Sequence, residues 1–207
     1  MTAAPAHSEC RPLAILTAAL TALLLAGCGV NNIPTYEESA KAAWSEVLNQ
    51  YKRRTDLIPN LVESVKGFAE QERKVLTEVT EARSRATSVQ VPPDILTNPE
   101  AMKKFQDAQN SLGSALRQLM VVVERYPDIK SGQNFLALQS QIEGTENRIS
   151  IARRDYIEAV RRYNTELATF PGRLWKMALY SSKEPMATFE IPAEETTAPK
   201  VDFGAGE

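Results

Sequence analysis

An all-α fold is predicted, as an antiparallel up-and-down four-helix bundle with a cleaved N-terminal signal and an extended C-terminal tail. Three observations lead there. Apolar side chains recur at helical or seven-residue spacing in four separate segments. Glycine is scarce, at 9 of 207 residues, and no long run alternates apolar with polar residues, which disfavours sheet. Short connections join the segments, and short connections make neighbouring helices antiparallel.

The first 27 residues stand apart. Arg11 precedes an apolar run from Leu13 to Ala26, followed by Gly27 and Cys28. Spanning a bilayer takes roughly 20 apolar residues, so this run is too short and reads as a secretion signal. "LAGC" at Leu25–Cys28 resembles the bacterial lipoprotein box. That resemblance implies diacylglyceryl transfer to the Cys28 sulfur, cleavage between Gly27 and Cys28, and acylation of the new amino terminus. Each buried methylene contributes about 0.8 kcal/mol, so several chains together hold firmly. Cleavage would also remove His7 and Cys10, leaving a mature chain with no His and one lipidated Cys. Disulfides, thiol–His and Ser–His catalysis, and ordinary zinc sites then lose their ligands or base. The formal net charge of −2 gives no basic excess for a nucleic-acid partner.

Residues 28–34 read as a lipid-anchored tether. Thr35 and Glu38 fit a capping box. A first helix follows, from about Tyr36 to Asp56, with Trp44 on its apolar stripe. Pro59 lacks an N–H and clashes with the Thr55 carbonyl, so the chain is expected to kink or reverse there, with reversal favoured because it balances the helix lengths. A second helix continues from Pro59 through Leu61, Val65, Val75, Leu76, Val79 and Ala86, and fades before the loop Val91-Pro92-Pro93. Asn98 then caps a third helix and Pro99 opens it. That helix carries two seven-residue series: Phe105, Leu112, Leu119, Tyr126, and Met102, Gln109, Leu116, Val123. Pro127 ends it. The fourth helix, from about Gln133 to Phe170, repeats Phe135, Ile142, Ile149, Tyr156, Tyr163 and Phe170 every seven residues. Pro171-Gly172 stops it, and a short helix at Arg173–Leu179 ends a bundle of residues 35–180. Residues 181–207, with Pro185, Pro192 and Pro199, read as a poor core former, extended or disordered.

Several blocks carry a family resemblance. "DLIPNLVESVKGFAEQE" at Asp56–Glu72, "RYPDIKSGQNFLALQSQIEGTENRI" at Arg125–Ile149 and "RYNTELATFPGRLW" at Arg162–Trp175 resemble the LemA family of bacterial membrane-associated helical proteins. The blocks match in order over roughly Tyr36 to Leu179. The resemblance implies a four-helix bundle and an envelope location; it implies no reaction. The usual family pattern has an N-terminal spanning helix without Cys, and Cys28 departs from it.

Candidate chemistry is thin. Arg53, Arg54, Asp56 and Asn60 crowd the Pro59 joint as a candidate partner or ligand surface, against a structural reading in which Asp56 caps and the Arg side chains cover the bundle end. Asn134, Asn147 and Asn164 lie within the fourth helix and could meet Gln109 or Asn60 as buried amides that fix register. Arg153-Arg154 and Arg161-Arg162 could face lipid headgroups, but interleaved Asp155 and Glu158 favour an ordinary charged face. Glu143 and Glu146 lack the Glu-x-x-His partners of a di-iron bundle. No metal, no cofactor and no nucleic acid are expected.

The expectation is a non-enzymatic, lipid-anchored bundle of the cell envelope, facing the periplasm, that binds or scaffolds an envelope protein. Gly29 after the acylated Cys, where an Asp would resemble the enteric retention signal, leans toward the outer membrane. The alternatives are a membrane-surface protein that contacts phospholipid and influences bilayer organisation, and a carboxylate-dependent enzyme.

Overall fold

The computed structural model describes residues 29–68, without the Phe68 side chain, and residues 72–189. Among them six α-helices and one 3-10 turn form the fold, with no strand. They are α1 (Asn32–Ser64), the turn Lys66–Phe68, α2 (Arg73–Ser88), α3 (Pro99–Val123), α4 (Pro127–Lys130), α5 (Gln133–Ala168) and α6 (Gly172–Ala178). The four-helix reading holds: α1, α2, α3 and α5 run up and down in turn.

The pairing follows from cross-helix bonds. Asn32 meets Glu166, and Arg54 meets Glu146, so α1 and α5 are antiparallel along their length. At 33 and 36 residues they are the long pair, on the order of 50 Å each. Arg125 of the segment after α3 pairs with Glu72 before α2 at 2.9 Å, which sets α2 antiparallel to α3. The seven-residue series pack as spacing predicts. Phe105, Leu112, Leu119, Met102, Leu116 and Val123 are buried on α3, as are Phe135, Ile142, Ile149, Tyr156 and Tyr163 on α5. Asn98 caps α3, its side chain accepting from the Ala101 amide at 3.1 Å, with Pro99 in the first turn.

The reversal expected at Pro59 does not occur there. α1 continues through an exposed Pro59, and the chain turns back between Ser64 and Arg73. Proline leaves the Thr55 carbonyl without its usual i+4 donor. Arg83 of α2 supplies one, its Nε donating to Thr55 O at 3.2 Å. The breaker is thus accommodated by the next helix, a contact invisible to local propensity.

Both ends of the expected bundle shift. α1 begins at Asn32, and Ile33 is fully buried, so the tether expected over residues 28–34 is shorter. Thr35 lies inside the helix and cannot cap it: its hydroxyl is one turn too late. The Asn32 amide instead donates to the Gly29 carbonyl at 3.0 Å. α5 stops at Ala168, and Phe170 is 81% exposed, so the last member of its series is not core. The segment after residue 180 is extended up to Phe189, but it is not a poor core former. Met186 and Phe189 are buried in the core. Residues 190–207 lie outside the described residues, as do Gly27 and Cys28.

Unequal helix lengths explain why that strap is needed. α2 has 16 residues and covers only the half of the long pair nearest the α1–α2 turn. Over the other half, Ile95 of the connecting loop and Met186 and Phe189 of the strap complete the core around Trp44 and Tyr156.

The role of Arg83 can be tested by a double-variant cycle. Arg83→Leu removes a charged donor from a main-chain carbonyl and is expected to cost about 1–2 kcal/mol in urea unfolding. In a Pro59→Ala background the Thr55 carbonyl regains its helical donor, so the same change should cost clearly less. Equal costs in both backgrounds would break the link between Arg83 and Pro59.

Candidate functional site

A polar layer cuts the core in two. One apolar cluster runs from Ile33 to Tyr51 on α1 and includes Phe105, Ile149, Tyr156 and Phe189. The other begins at Ile58 and includes Leu112, Ile142 and the apolar face of α2. Between them, at one level, lie the buried side chains of Arg54, Thr55, Gln106, Gln109 and Thr145. Arg54 is the hub. Its Nη1 donates to Glu146 Oε1 at 2.6 Å, and its Nη2 donates to Gln109 O at 3.0 Å and Gln109 Oε1 at 2.8 Å. Its guanidinium carbon also sits 5.1 Å from the centroid of the Tyr51 ring. One side chain on α1 therefore ties α3 and α5 together. Thr55 and Thr145 satisfy their hydroxyls locally, on the Tyr51 and Gln141 carbonyls. Burial holds the Tyr51 hydroxyl above its ordinary range, against the opposing pull of the Arg153 and Arg54 guanidiniums.

The sequence-predicted surface at the Pro59 joint is not one site. Arg54 points inward and is 3% exposed. Arg53, Asp56 and Asn60 face solvent. Asp56 does not cap; it pairs with Lys52 at 2.7 Å, because the helix continues past it and offers no free amide. Asn60 borders an open groove of about 510 Å³ with Glu63, Ser64, Asn134, Ala137 and Leu138. Asn134 thus joins Asn60, though on the surface and not inside. Gln109 meets Arg54 and no asparagine of α5, and Asn147 is exposed.

Asn164 has a different task. Its Nδ2 donates to the Met186 carbonyl and its Oδ1 accepts from the Met186 amide, both at 2.9 Å. This two-way amide bond clamps the strap to α5. Tyr156 adds a donor to the Ala187 carbonyl at 2.7 Å, and the Ala187 amide donates to the Leu96 carbonyl at 2.7 Å. Burial pushes the Tyr156 hydroxyl well up and brings that of Tyr163 to about 12, so both are donors at any ordinary pH. Phe189 packs edge-on against Tyr156, with ring centroids 5.5 Å apart, and Arg153 stacks over it at 4.6 Å. Lys183 completes the strap by pairing with Glu37 of α1 at 2.6 Å. Burial alone would raise the Glu37 carboxyl, but hydrogen bonds and charge from Lys183 and Lys41 outweigh it and hold it below its ordinary value. Sequence reasoning missed this strap; the signal was Met186 and Phe189 amid prolines and acids.

The doubled arginines form an ordinary charged face at Arg161 and Arg162, both bonded to Glu158, whose carboxyl is held at about 2 by those hydrogen bonds. Glu146 is spent on Arg54, and Glu143 accepts from Gln139. Among the described residues no three His, Cys, Asp or Glu side chains converge, and no helix is long and apolar enough to cross a membrane.

With this geometry in hand, similarities to known proteins can be placed. The sequence profile of the LemA family matches residues 43–203, which include the polar layer and the strap. Magnetosome protein MamQ 2 of Paramagnetospirillum magneticum is 26% identical over 157 residues, covering 68% of this chain and 58% of that protein. Magnetosome protein MamQ of Magnetospirillum gryphiswaldense is 24% identical over 172 residues, 75% of this chain and 62% of that protein. Protein LemA of Metamycoplasma hominis is 27% identical over 119 residues, 58% of this chain and 50% of that protein. The chain spans less than two thirds of the length of each of these relatives.

Two outcomes follow from the layer and the strap. Glu146→Leu leaves the Arg54 cation with neutral acceptors only, and is expected to cost about 2–3 kcal/mol in urea unfolding. Adding Arg54→Met should recover most of that, because the buried charge goes too; a Glu146→Leu protein as stable as the parent would show that Arg54 does not need its carboxylate. The second outcome concerns pH. Glu37 is depressed in the folded protein, so its contribution is full above the ordinary carboxyl value of 4.5 and is lost as pH falls through the lower folded value. Amide exchange in residues 183–189 should therefore quicken below that point, and Glu37→Gln should make it fast at neutral pH and flatten the profile. An unchanged profile in Glu37→Gln would remove Glu37 from the strap's control.

Proposed function

The chain belongs to the LemA family, and from that premise we propose that it is a lipid-anchored, non-enzymatic bundle of the bacterial cell envelope that works by binding an envelope protein. The observation that carries this reading is the place of Cys28. It closes the "LAGC" stretch, and only residues 29–31 separate it from the first helical residue, Asn32. A diacylglyceryl group on its sulfur would hold the bundle close against the membrane, since three extended residues reach about 10 Å at most. Gly29 suits the sharp exit, with a φ of 100°, a conformation that side chains strain to adopt.

The rest of the bundle then projects outward by roughly the length of α1, about 50 Å. Its far end carries the outward polar face of Arg53, Asp56 and Asn60 and the groove shared by Asn60 and Asn134. That groove is open and polar-edged, the form of a protein contact more than of a small-molecule pocket. The two buried charged side chains among the described residues, Arg54 and Glu37, are committed to holding the bundle and its strap together. Relatives named for the magnetosome carry the name of a structure, not of a reaction, which agrees with a binding role.

Mass spectrometry of the protein extracted from membranes tests the anchor: the expected mature chain starts at an acylated Cys28, and an intact Met1 or an unmodified Cys28 sinks it. A photo-crosslinking residue at position 60, in the same cells, tests the partner. One discrete protein adduct is expected; crosslinks to phospholipid alone would favour the bilayer-organising alternative instead.

A further inference from the structure

The end of the bundle that carries Gly29 also carries a concentration of exposed apolar side chains. Phe170 is 81% exposed, Met177 70%, Leu179 60% and Leu174 53%. Within α6, Gly172 is buried and Trp175 is half-buried against the core, so Leu174 and Met177 hold the opposite, outward face. Gly172 fixes that docking. A Cβ there would lie 2.1 Å from the Glu166 carbonyl oxygen, so a larger residue could not let α6 lie so close on α5.

Cations flank the apolar face. Arg173 and Lys176 make no ion pair with another described residue. Together with Leu167, Ala168, Met177 and Ser181 they border an open groove of about 640 Å³. Among the carboxylates at this end, Glu166 accepts a hydrogen bond from Asn32 Nδ2 at 3.2 Å, and Glu37 and Glu38 pair with Lys41. An exposed apolar helix face with cations beside it is the pattern of a surface that meets lipid, since the cations complement phosphate and the apolar groups need cover.

Position points the same way. A Cβ on Gly29 would lie 3.7 Å from Pro171 Cγ, so the chain leaves the bundle beside this patch. Cys28 is one peptide bond further, about 3.8 Å between Cα atoms.

We propose that residues 170–179 seat the bundle on an anionic phospholipid bilayer. Phe170, Leu174 and Met177 enter the boundary between headgroups and acyl chains, and Arg173 and Lys176 take the phosphates. This rests on the anchor at Cys28, which brings a bilayer to this end, and it adds a second contact that fixes how the rod stands. One anchor alone would let it swivel.

Full-length protein in native membranes carries the test. A photo-crosslinking residue is placed at position 177 and, separately, at position 121. Val121 is also 70% exposed, but it lies near the far end of α3. Phospholipid adducts are expected at 177 and not at 121, and Arg173→Glu with Lys176→Glu should lower the yield at 177. Equal phospholipid adducts at both positions overturn the proposal. So do adducts of 177 with a second copy, with residues 1–28 of its own chain, or with another protein, and so does a yield indifferent to the charge reversal. The N-terminal mass, read from the same sample, separates the two readings. An acylated Cys28 with no phospholipid adduct at 177 ends this surface and leaves the anchor; phospholipid adducts with an unmodified Cys28 do the opposite.

Discussion

The guanidinium of Arg54, held between Glu146 and Gln109, sets the register on which the bundle depends. A seven-residue apolar seam by itself tolerates sliding, because every step of seven offers the same greasy surface. A buried cation does not. It has to meet its carboxylate and its amide at one axial position, and any slip leaves a charge in the core without a partner. Three helices from distant parts of the chain are therefore locked at the level of residues 54, 109 and 146. The apolar clusters on either side then pack as two separate cores with fixed offsets.

That lock also bears on the unusual proportions. The long pair α1 and α5 forms from segments far apart in sequence, and α2 is too short to cover it. Half of the long pair would expose Trp44, Tyr156 and their neighbours if the chain ended at α6. The strap closes that gap with two apolar side chains and with hydrogen bonds to its main chain at Met186 and Ala187. Extended chain laid on helices has no neighbouring strand to pair its amides and carbonyls, which must find partners elsewhere. Asn164 and Tyr156 answer that need, and Lys183 adds a charge contact at the strap's start.

The two ends of the rod differ in chemistry. Near Gly29 the surface is apolar with a cationic rim. Near the α1–α2 turn Asn60, Glu63 and Asn134 border a groove that Ala137 and Leu138 also line. A chain anchored at Cys28 would present the first end to lipid and the second to the space beyond. Orientation, more than any single reactive group, is then what the fold provides.

Much of this was written in the sequence. The seven-residue series on α3 and α5 determined which faces are buried, because a helix can hide only the side chains that its 3.6-residue turn brings to one side. Asn98-Pro99 determined where α3 starts, since the cap and the missing N–H both act within one turn. The stretch ending at Cys28 is likewise a local pattern. Tertiary structure alone decided the rest. Pro59 stays inside a helix because Arg83, 24 positions on, offers the donor that Thr55 lost. Arg54 turned inward, away from Arg53 and Asp56, because Glu146 and Gln109 wait there to neutralise and bond it. Residues 181–189 became core because a short α2 left apolar surface uncovered. Each of these is a pairing between groups far apart along the chain, and such pairings are fixed only when the helices have met.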